Sequence, residues 1–546
     1  MSHSRSLSRR QFLRLTGLSA GALLLAACSK TQSPAARDSS QPPAATASDS
    51  SHSPANGAQD VSHSPTGDSP ASTLPPADVS IELNAAPARV NLLTGAATRV
   101  WQYQGQVTQG ETSALQAIPD SYLGPILRLQ RGQTLKVQFR NNIPDPSIIH
   151  WHGMRVPHEM DGHPHSVIAQ GQSCDYQFRI LNRAGVYWYH PHPHGRTGPQ
   201  AYYGLAGMLI VSDEEEAALG LPAGEFDLPL VIQDRSFDAQ NQWVYAPDTM
   251  NGFFGDQIVV NGQSQRVWNL QAHPYRLRLL NGSNARIYRL TWDDQTPLTV
   301  IGSDGGLLEK PVQRPFITLA PGERVELWAD FSRCSAGQQL TLKSLPFNVS
   351  SGGMGGMMGS GSRLPNGAAL DILRIQIESA GDAAQPSLPE KLSTPAFEDA
   401  QQAVNRGKPR QFTLTMHMVG AINGRSFVMD EVAADEIVRL GDLEIWEFYN
   451  NPNGGMMSGG FPHPMHIHGV QFQTIQRQID PQYQSEYEII RPGLLDEGWK
   501  DTVLVWPGER VQVLARFADF AGLYLYHCHN LEHEDGGMMR NYRVES

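Results

Sequence analysis

The chain is short of positive charge, of cysteine and of long apolar runs, and each shortage closes off a kind of function. Lys and Arg number 42 against 54 Asp and Glu, for a formal net charge of -12 at pH 7. There is therefore no basic field for gripping nucleic acid, and no Lys/Arg cluster suggests a polybasic membrane patch. The apolar run from Leu15 to Ala27 is too short to span a membrane, which takes roughly 20 residues. Of the 4 cysteines, Cys28 ends that run and Cys528 lies between two histidines, so Cys174 and Cys334 form the one possible intramolecular disulfide. Pairing and two unpaired, partly buried thiols both stay open.

A length of 546 residues exceeds one ordinary core and predicts two to four domains. Hydrophobic residues at 40% and charged residues at 18% suit a soluble globular protein, and 51 Gly with 38 Pro favour short strands and turns over long helices. An all-β fold is expected. Residues 1–28 read as a processing signal: Ser8-Arg9-Arg10-Gln11-Phe12-Leu13 resembles a twin-arginine export motif, and Leu25-Ala26-Ala27-Cys28 resembles a bacterial lipobox. That resemblance implies cleavage before Cys28, a lipid on its thiol and a place in the cell envelope, periplasmic or lipid-anchored. Residues 29–77, rich in Ser, Pro and Ala, bury too little apolar surface to offset chain entropy and read as a disordered tether.

From Val79 the pattern becomes short alternating apolar runs bounded by Gly, Pro and Asn, the signature of a β-sandwich or barrel. Pro321-Gly322-Glu323-Arg324-Val325 recurs as Pro507-Gly508-Glu509-Arg510-Val511, and Arg131-Gly132-Gln133-Thr134 is a related turn. Such repetition argues for similar β-domains in series. Boundaries near 212–224 and 381–408 give three, at 78–213, 225–380 and 408–546. A glycine-methionine stretch at 351–359 reads as a loop.

The chemistry is concentrated in histidine. Of 19, ten fall in four tight clusters at the two ends of the folded region: His150-Trp151-His152-Gly153, His190-Pro191-His192, His463-Pro464-Met465-His466-Ile467-His468, and His527-Cys528-His529 followed by His533 and Met538. Strand side chains repeat every two residues, so each His-x-His pair presents both imidazoles on one face, able to grip one metal cluster. A single pair is more often core or surface; four in one chain, one enclosing a cysteine, are not coincidence. Thiolate, imidazole and thioether together are the donors a copper site selects.

These four motifs resemble those of the multicopper oxidases, most closely the bacterial periplasmic cuprous oxidases and laccase-like enzymes of copper tolerance. The resemblance runs from Gly124-Pro125 to Met538 and is strongest in His190-Pro191-His192-Pro193-His194-Gly195 and Leu531-Glu532-His533-Glu534-Asp535. It implies three cupredoxin-like Greek-key β-sandwich domains and four copper ions. Type 1 copper would take His463, Cys528, His533 and, axially, Met538; type 2 copper His150 and His466; the type 3 pair His152, His190, His192, His468, His527 and His529. Cys528 would face the type 1 copper and its neighbours His527 and His529 the type 3 pair, making the tripeptide the electron path. Asp161 and Glu534 would serve as proton donors, although Glu534 equally suits a partner that orients a ligand imidazole. His158, His163, His165, His194, His273 and His417 are read as surface or packing residues.

The implied reaction couples four one-electron oxidations to reduction of dioxygen to water. Cu(I) is the expected donor because thioethers suit it and Met354, Met357, Met358, Met456, Met457 and Met539 cluster in the sequence near the type 1 ligands or in glycine loops. The family's cuprous oxidases carry an acid a few positions before the first type 1 histidine, where this chain has Gly459-Gly460-Phe461-Pro462. That keeps laccase-like oxidation of phenols or aromatic amines as the alternative. A non-enzymatic cupredoxin-fold envelope protein and a two-domain nitrite reductase fit less well. A monomer is expected, with no nucleic-acid partner and a membrane contact only through Cys28.

Overall fold

A computed structural model of the protein describes residues 75–248, 250–264, 266–348, 364–381, 384–416, 419–452 and 460–546. The export signal, Cys28, most of the tether, the 351–359 loop, Met456, Met457, His417 and Met418 lie outside the described residues. No helix among the described residues is long and apolar enough to cross a membrane.

Alternation builds the sheets. Val79–Val90 opens with strictly alternating buried and half-buried side chains, as a strand with one face on a core requires. It pairs with Thr98–Gln109 on one side and, in parallel, with Thr134–Asn141 on the other. With Ser173–Arg179 these make a four-stranded sheet, and a five-stranded sheet that includes Ile149–His152, Gly185–Pro191 and Gly207–Ser212 lies across a shared core from it. Strands between 227 and 378 form a seven-stranded and a five-stranded sheet around a second core, and strands between 410 and 545 two five-stranded sheets around a third. The fold is that of β-sandwiches in series.

Register sets the histidines face to face. In the antiparallel pair of Ile149–His152 with Gly185–Pro191, His150 lies opposite His190. In the third core, His463–Ile467 pairs with Gly522–Cys528 so that His466 faces His527 and Met465 faces Cys528. Both pairs sit in strands buried on both faces, which is unusual for so many polar rings and needs a polar partner at every buried nitrogen.

The repeated turn has one construction in three places. Gly132, Gly322 and Gly508 all adopt positive φ (+93°, +83° and +74°), where a Cβ is strained. The next side chain turns back to cap the loop: Gln133 accepts from the Gln130 N–H (2.8 Å), Glu323 from Ala320 (2.8 Å) and Glu509 from Trp506 (2.7 Å). The arginines then diverge. Arg510 stacks on Tyr449, 3.6 Å from the ring centre, whereas Arg324 is fully buried.

Cys174 and Cys334 are both free. Cys174 packs against the first core and Cys334 against the second, so the bridge left open by the sequence is not made.

Candidate metal centre

Two groups of side chains lie on opposite sides of the strand ending Tyr526-His527-Cys528. On one side, Cys528 Sγ is 3.4 Å from His463 Nδ1 and 3.5 Å from His533 Nδ1, and the two Nδ1 atoms are 3.2 Å apart. Three elements bring them together: strand His463–Ile467, strand Gly522–Cys528 and the short helix Leu531–Asp535, which Asn530 caps by accepting from the Glu532 and His533 N–H groups. Met538 follows that helix, is fully buried in the same core, and is tied in by two backbone bonds: its N–H donates to the His533 carbonyl (2.9 Å) and its carbonyl accepts from Cys528 (3.0 Å). Burial holds the Cys528 thiol far above its ordinary pKa. A thiolate there requires a cation. Burial likewise pushes His533 down to about 4 and lowers His463, whose second cause is His533 itself.

On the other side eight imidazoles converge, four from each end of the chain. His150 Nε2 lies 3.3 Å from His466 Nε2, His468 Nε2 3.0 Å and His192 Nε2 3.3 Å from His527 Nε2, and His190 Nε2 3.4 Å from His152 Nδ1. Neither ring nitrogen of His529 has a protein partner, nor does Nδ1 of His192. All eight rings are inaccessible to solvent. Burial first and neighbouring imidazoles second hold His152, His192, His466 and His468 well below the ordinary histidine range, and burial puts His527 at about 3. Buried rings crowded at 3.0 to 3.4 Å, with inner nitrogens facing one another, have the chemistry of a metal-ligand set.

In six of the eight rings the outer nitrogen is fixed by the protein. Nδ1 of His150 faces the Asp161 carbonyl (2.9 Å), that of His190 the Pro191 carbonyl (2.9 Å), that of His466 the Asp501 carbonyl (2.8 Å), that of His527 the Cys528 carbonyl (3.1 Å), and that of His468 the Asp161 carboxylate (2.7 Å). Each leaves Nε2 pointing inward. His152 is reversed: its Nε2 faces outward to Asp501 Oδ1 and Thr502 Oγ1, both at 3.1 Å, and Nδ1 points in.

All ten clustered histidines, Cys528 and Met538 thus fall in these two groups. Asp161 lies against His468 and His150. Glu534 lies 3.5 Å from His192 Nε2 and 3.3 Å from His527 Nδ1, and burial followed by Asp535 and Glu532 pushes its carboxyl well up. The remaining described histidines stay apart. His194 is exposed beside Phe427, His158 pairs with Glu159, His165 with Asp430, His163 with Asn541, and His273 stacks on Phe226.

Asp501 and Glu532 were not singled out from sequence. Asp501 groups with His152 and His466. Glu532 accepts from Tyr245 Oη (2.8 Å), Asn284 Nδ2 (2.8 Å) and the Phe253 N–H (3.0 Å). It thereby bolts a segment of the middle domain over His533, whose outer Nε2 faces the Met250 carbonyl at 2.9 Å. The one available signal for Glu532 was its place in the ligand-bearing helix; Asp501 had none.

Comparison with known proteins agrees with this chemistry. Residues 99–216 and 395–546 each match a family description reading "Multicopper oxidase". The chain is 30% identical over 424 residues to the multicopper oxidase mco of Staphylococcus haemolyticus, covering 77% of this chain and 82% of that one. It is 33% identical to the bilirubin oxidase of Albifimbria verrucaria over 76% of this chain and 70% of that one. The crystal structure of the McoA multicopper oxidase from the hyperthermophile Aquifex aeolicus is similar at a TM-score of 0.72 and 35% identity, covering 86% and 97% of the two chains. A relative at this identity across most of both lengths and a matching β-sandwich fold make the chain a member of the multicopper oxidase family, copper-binding oxidoreductases.

Proposed function

We propose that this enzyme works in the bacterial cell envelope, binds four coppers and oxidises Cu(I) to Cu(II) while reducing dioxygen to water. In this reading His463, Cys528, His533 and Met538 hold a type 1 copper, His150 and His466 a type 2 copper, and His152, His190, His192, His468, His527 and His529 a type 3 pair. The bound coppers supply one-electron transfer on one side of the strand and four-electron reduction of dioxygen on the other.

The observation that carries the reading is the covalent join. Cys528 belongs to one group and His527 and His529 to the other, so the shortest link between them is a tripeptide backbone rather than a gap. Four Cu(I), one dioxygen and four protons give four Cu(II) and two waters. Among the described residues three carboxylates lie against ligand rings, and of these Asp501 is tied up by Arg324; to the other two, Asp161 against His468 and Glu534 against His192 and His527, we assign the delivery of those protons. All eight rings being inaccessible keeps bulk water away from the reacting oxygen.

Cu(I) is favoured over a phenol because the His533 edge is closed. Met250 and Asn530 lie on its outer nitrogen at 2.9 and 3.2 Å, leaving it no aromatic-sized opening among the described residues. Phenol or aromatic-amine oxidation is the second reading, supported by the missing acid before His463. Steady-state oxygen uptake with Cu(I) and with a phenol, each with and without added Cu(II), separates them. Faster uptake with Cu(I) and phenol turnover dependent on added Cu(II) are expected; fast phenol turnover without it, with Cu(I) a poor donor, refutes the preferred substrate.

A further inference from the structure

The oxygen-reducing group has a support that comes from the middle domain. The Arg324 side chain is fully buried, and a guanidinium has five N–H donors to satisfy. All five are used. Nε donates to the Val186 carbonyl (2.9 Å); Nη1 to Asp501 Oδ1 (2.6 Å) and the Gly322 carbonyl (3.0 Å); Nη2 to Asp501 Oδ2 and the Asp304 carbonyl (3.0 Å). Val186 belongs to the strand that carries His190, Gly322 and Asp304 to the middle domain, and Asp501 to the third.

What Arg324 grips is the one carboxylate that faces His152 Nε2. His152 differs from His150, His190, His466, His468 and His527 in presenting Nδ1 inward, and an acceptor held at Nε2 is what selects that tautomer. Thr502 Oγ1 donates to Asp501 Oδ1 (3.0 Å), so the Asp501 carboxylate is held by Thr502 as well as by the guanidinium, and Asp304 Oδ1 accepts from the Arg324 backbone N–H (2.8 Å), which fixes the arginine's own main chain. Room for this arrangement is built into the first histidine motif. Gly153, directly after His152, has φ +81°, and a Cβ there would run into Asp501 Oδ2 and lie 2.8 Å from Arg324 Nη2. Arg510, in the matching turn of the third domain, stacks on Tyr449 instead, so the clamp is particular to one copy of the repeat.

We propose that Arg324 is a positioning residue of the oxygen-reducing site: by clamping Asp501 in a two-pronged fork it fixes the tautomer and ring plane of His152, making the middle domain part of that site although it supplies none of the proposed ligands. This rests on the multicopper reading above. Arg324→Gln, Arg324→Lys and Asp501→Asn in the full-length protein test it. Three quantities are read: copper retained per chain after dialysis against a chelator, intensity of the visible thiolate-to-copper band, and the apoprotein melting midpoint. The expected result for Arg324→Gln is an unchanged band with roughly ten- to hundredfold weaker retention of the remaining copper. Arg324→Lys should fall in between, since an ammonium keeps the charge and loses the fork. Wild-type copper retention in both Arg324→Gln and Asp501→Asn overturns the proposal. So does loss of the visible band in parallel with the other copper and with melting, because that marks a purely structural wedge. If Arg324→Gln does not fold, Arg324→Lys and Asp501→Asn decide by the same criteria. Wild-type protein that shows no visible band after copper loading refutes the underlying reading instead.

Discussion

Adding one methyl group to the repeated turn gives a graded experiment, because its three copies offer a Cβ three different surroundings. Gly132, Gly322 and Gly508 all lie at positive φ, so Ala at any of them incurs backbone strain of about 1–2 kcal/mol. At Gly132 the new Cβ meets nothing nearer than Arg179 Nη2 at 3.9 Å, and strain is the whole effect. At Gly508 it meets the Tyr483 ring, which is half-exposed and free to swing outward. At Gly322 it meets His529 Cγ and Cδ2 at 3.0 Å and Nδ1 at 3.1 Å, a ring with no solvent-accessible surface and nowhere to go. Relieving a 3.0 Å contact to an ordinary carbon separation of about 3.5 Å moves His529 by several tenths of an ångström, which is comparable to the tolerance of a metal site. Gly132→Ala should therefore lose about 1–2 kcal/mol in urea unfolding, Gly508→Ala little more, and Gly322→Ala a further ~1–3 kcal/mol from over-packing, while Gly322→Ala alone loses oxygen turnover and retained copper. The thiolate-to-copper band should survive in all three. If Gly322→Ala keeps the copper content and turnover of Gly132→Ala, the turn does not press on the oxygen-reducing group and the reasoning fails.

Other perturbations address the remaining joints. Cys528→Ser should remove the visible band and all turnover while far-UV circular dichroism keeps its β signature; retained oxygen uptake would break the electron-path assignment. Glu534→Gln should slow oxygen turnover with the visible band intact, and an unchanged rate would leave Asp161 as the only proton donor. Glu532→Ala leaves three buried donors on Tyr245, Asn284 and Phe253 without this acceptor, at about 1–3 kcal/mol each. It also releases the segment over His533, so phenol turnover should rise relative to Cu(I). Phenol turnover that falls in step with Cu(I) would show that the Met250 segment does not shield that edge.

The all-β architecture and the gathering of the histidines were legible because both depend on local rules. Alternation with a period of two puts His150 with His152, His466 with His468, and His527 with His529 on common faces, and leaves Cys528 on the other. The rest depends on register between strands hundreds of residues apart, which spacing does not encode. Asp501 reads as an ordinary acid at the start of a strand, and only pairing of His466 with Thr502 brings it to His152. Arg324 was visible as half of a repeat, yet its counterpart Arg510 does something else; a shared turn predicts a shared backbone and says nothing of what a long side chain reaches. The orientation of Glu532 likewise depends on a loop of another domain. The question of Cys174 and Cys334 had no local answer, since it turned on which core each one joins.

The division of the eight imidazoles between the two ends of the chain orders events in the life of the protein. His192 and His527, 3.3 Å apart in the fold, are separated by 335 positions. A nascent chain emerging from the ribosome carries the first four rings, complete at His192, through the making of the strands around the second core before His466 and then Cys528 follow. The two halves of the eight-imidazole group therefore meet only after the strands that carry His466 to His529 have been made and docked against those that carry His150 to His192.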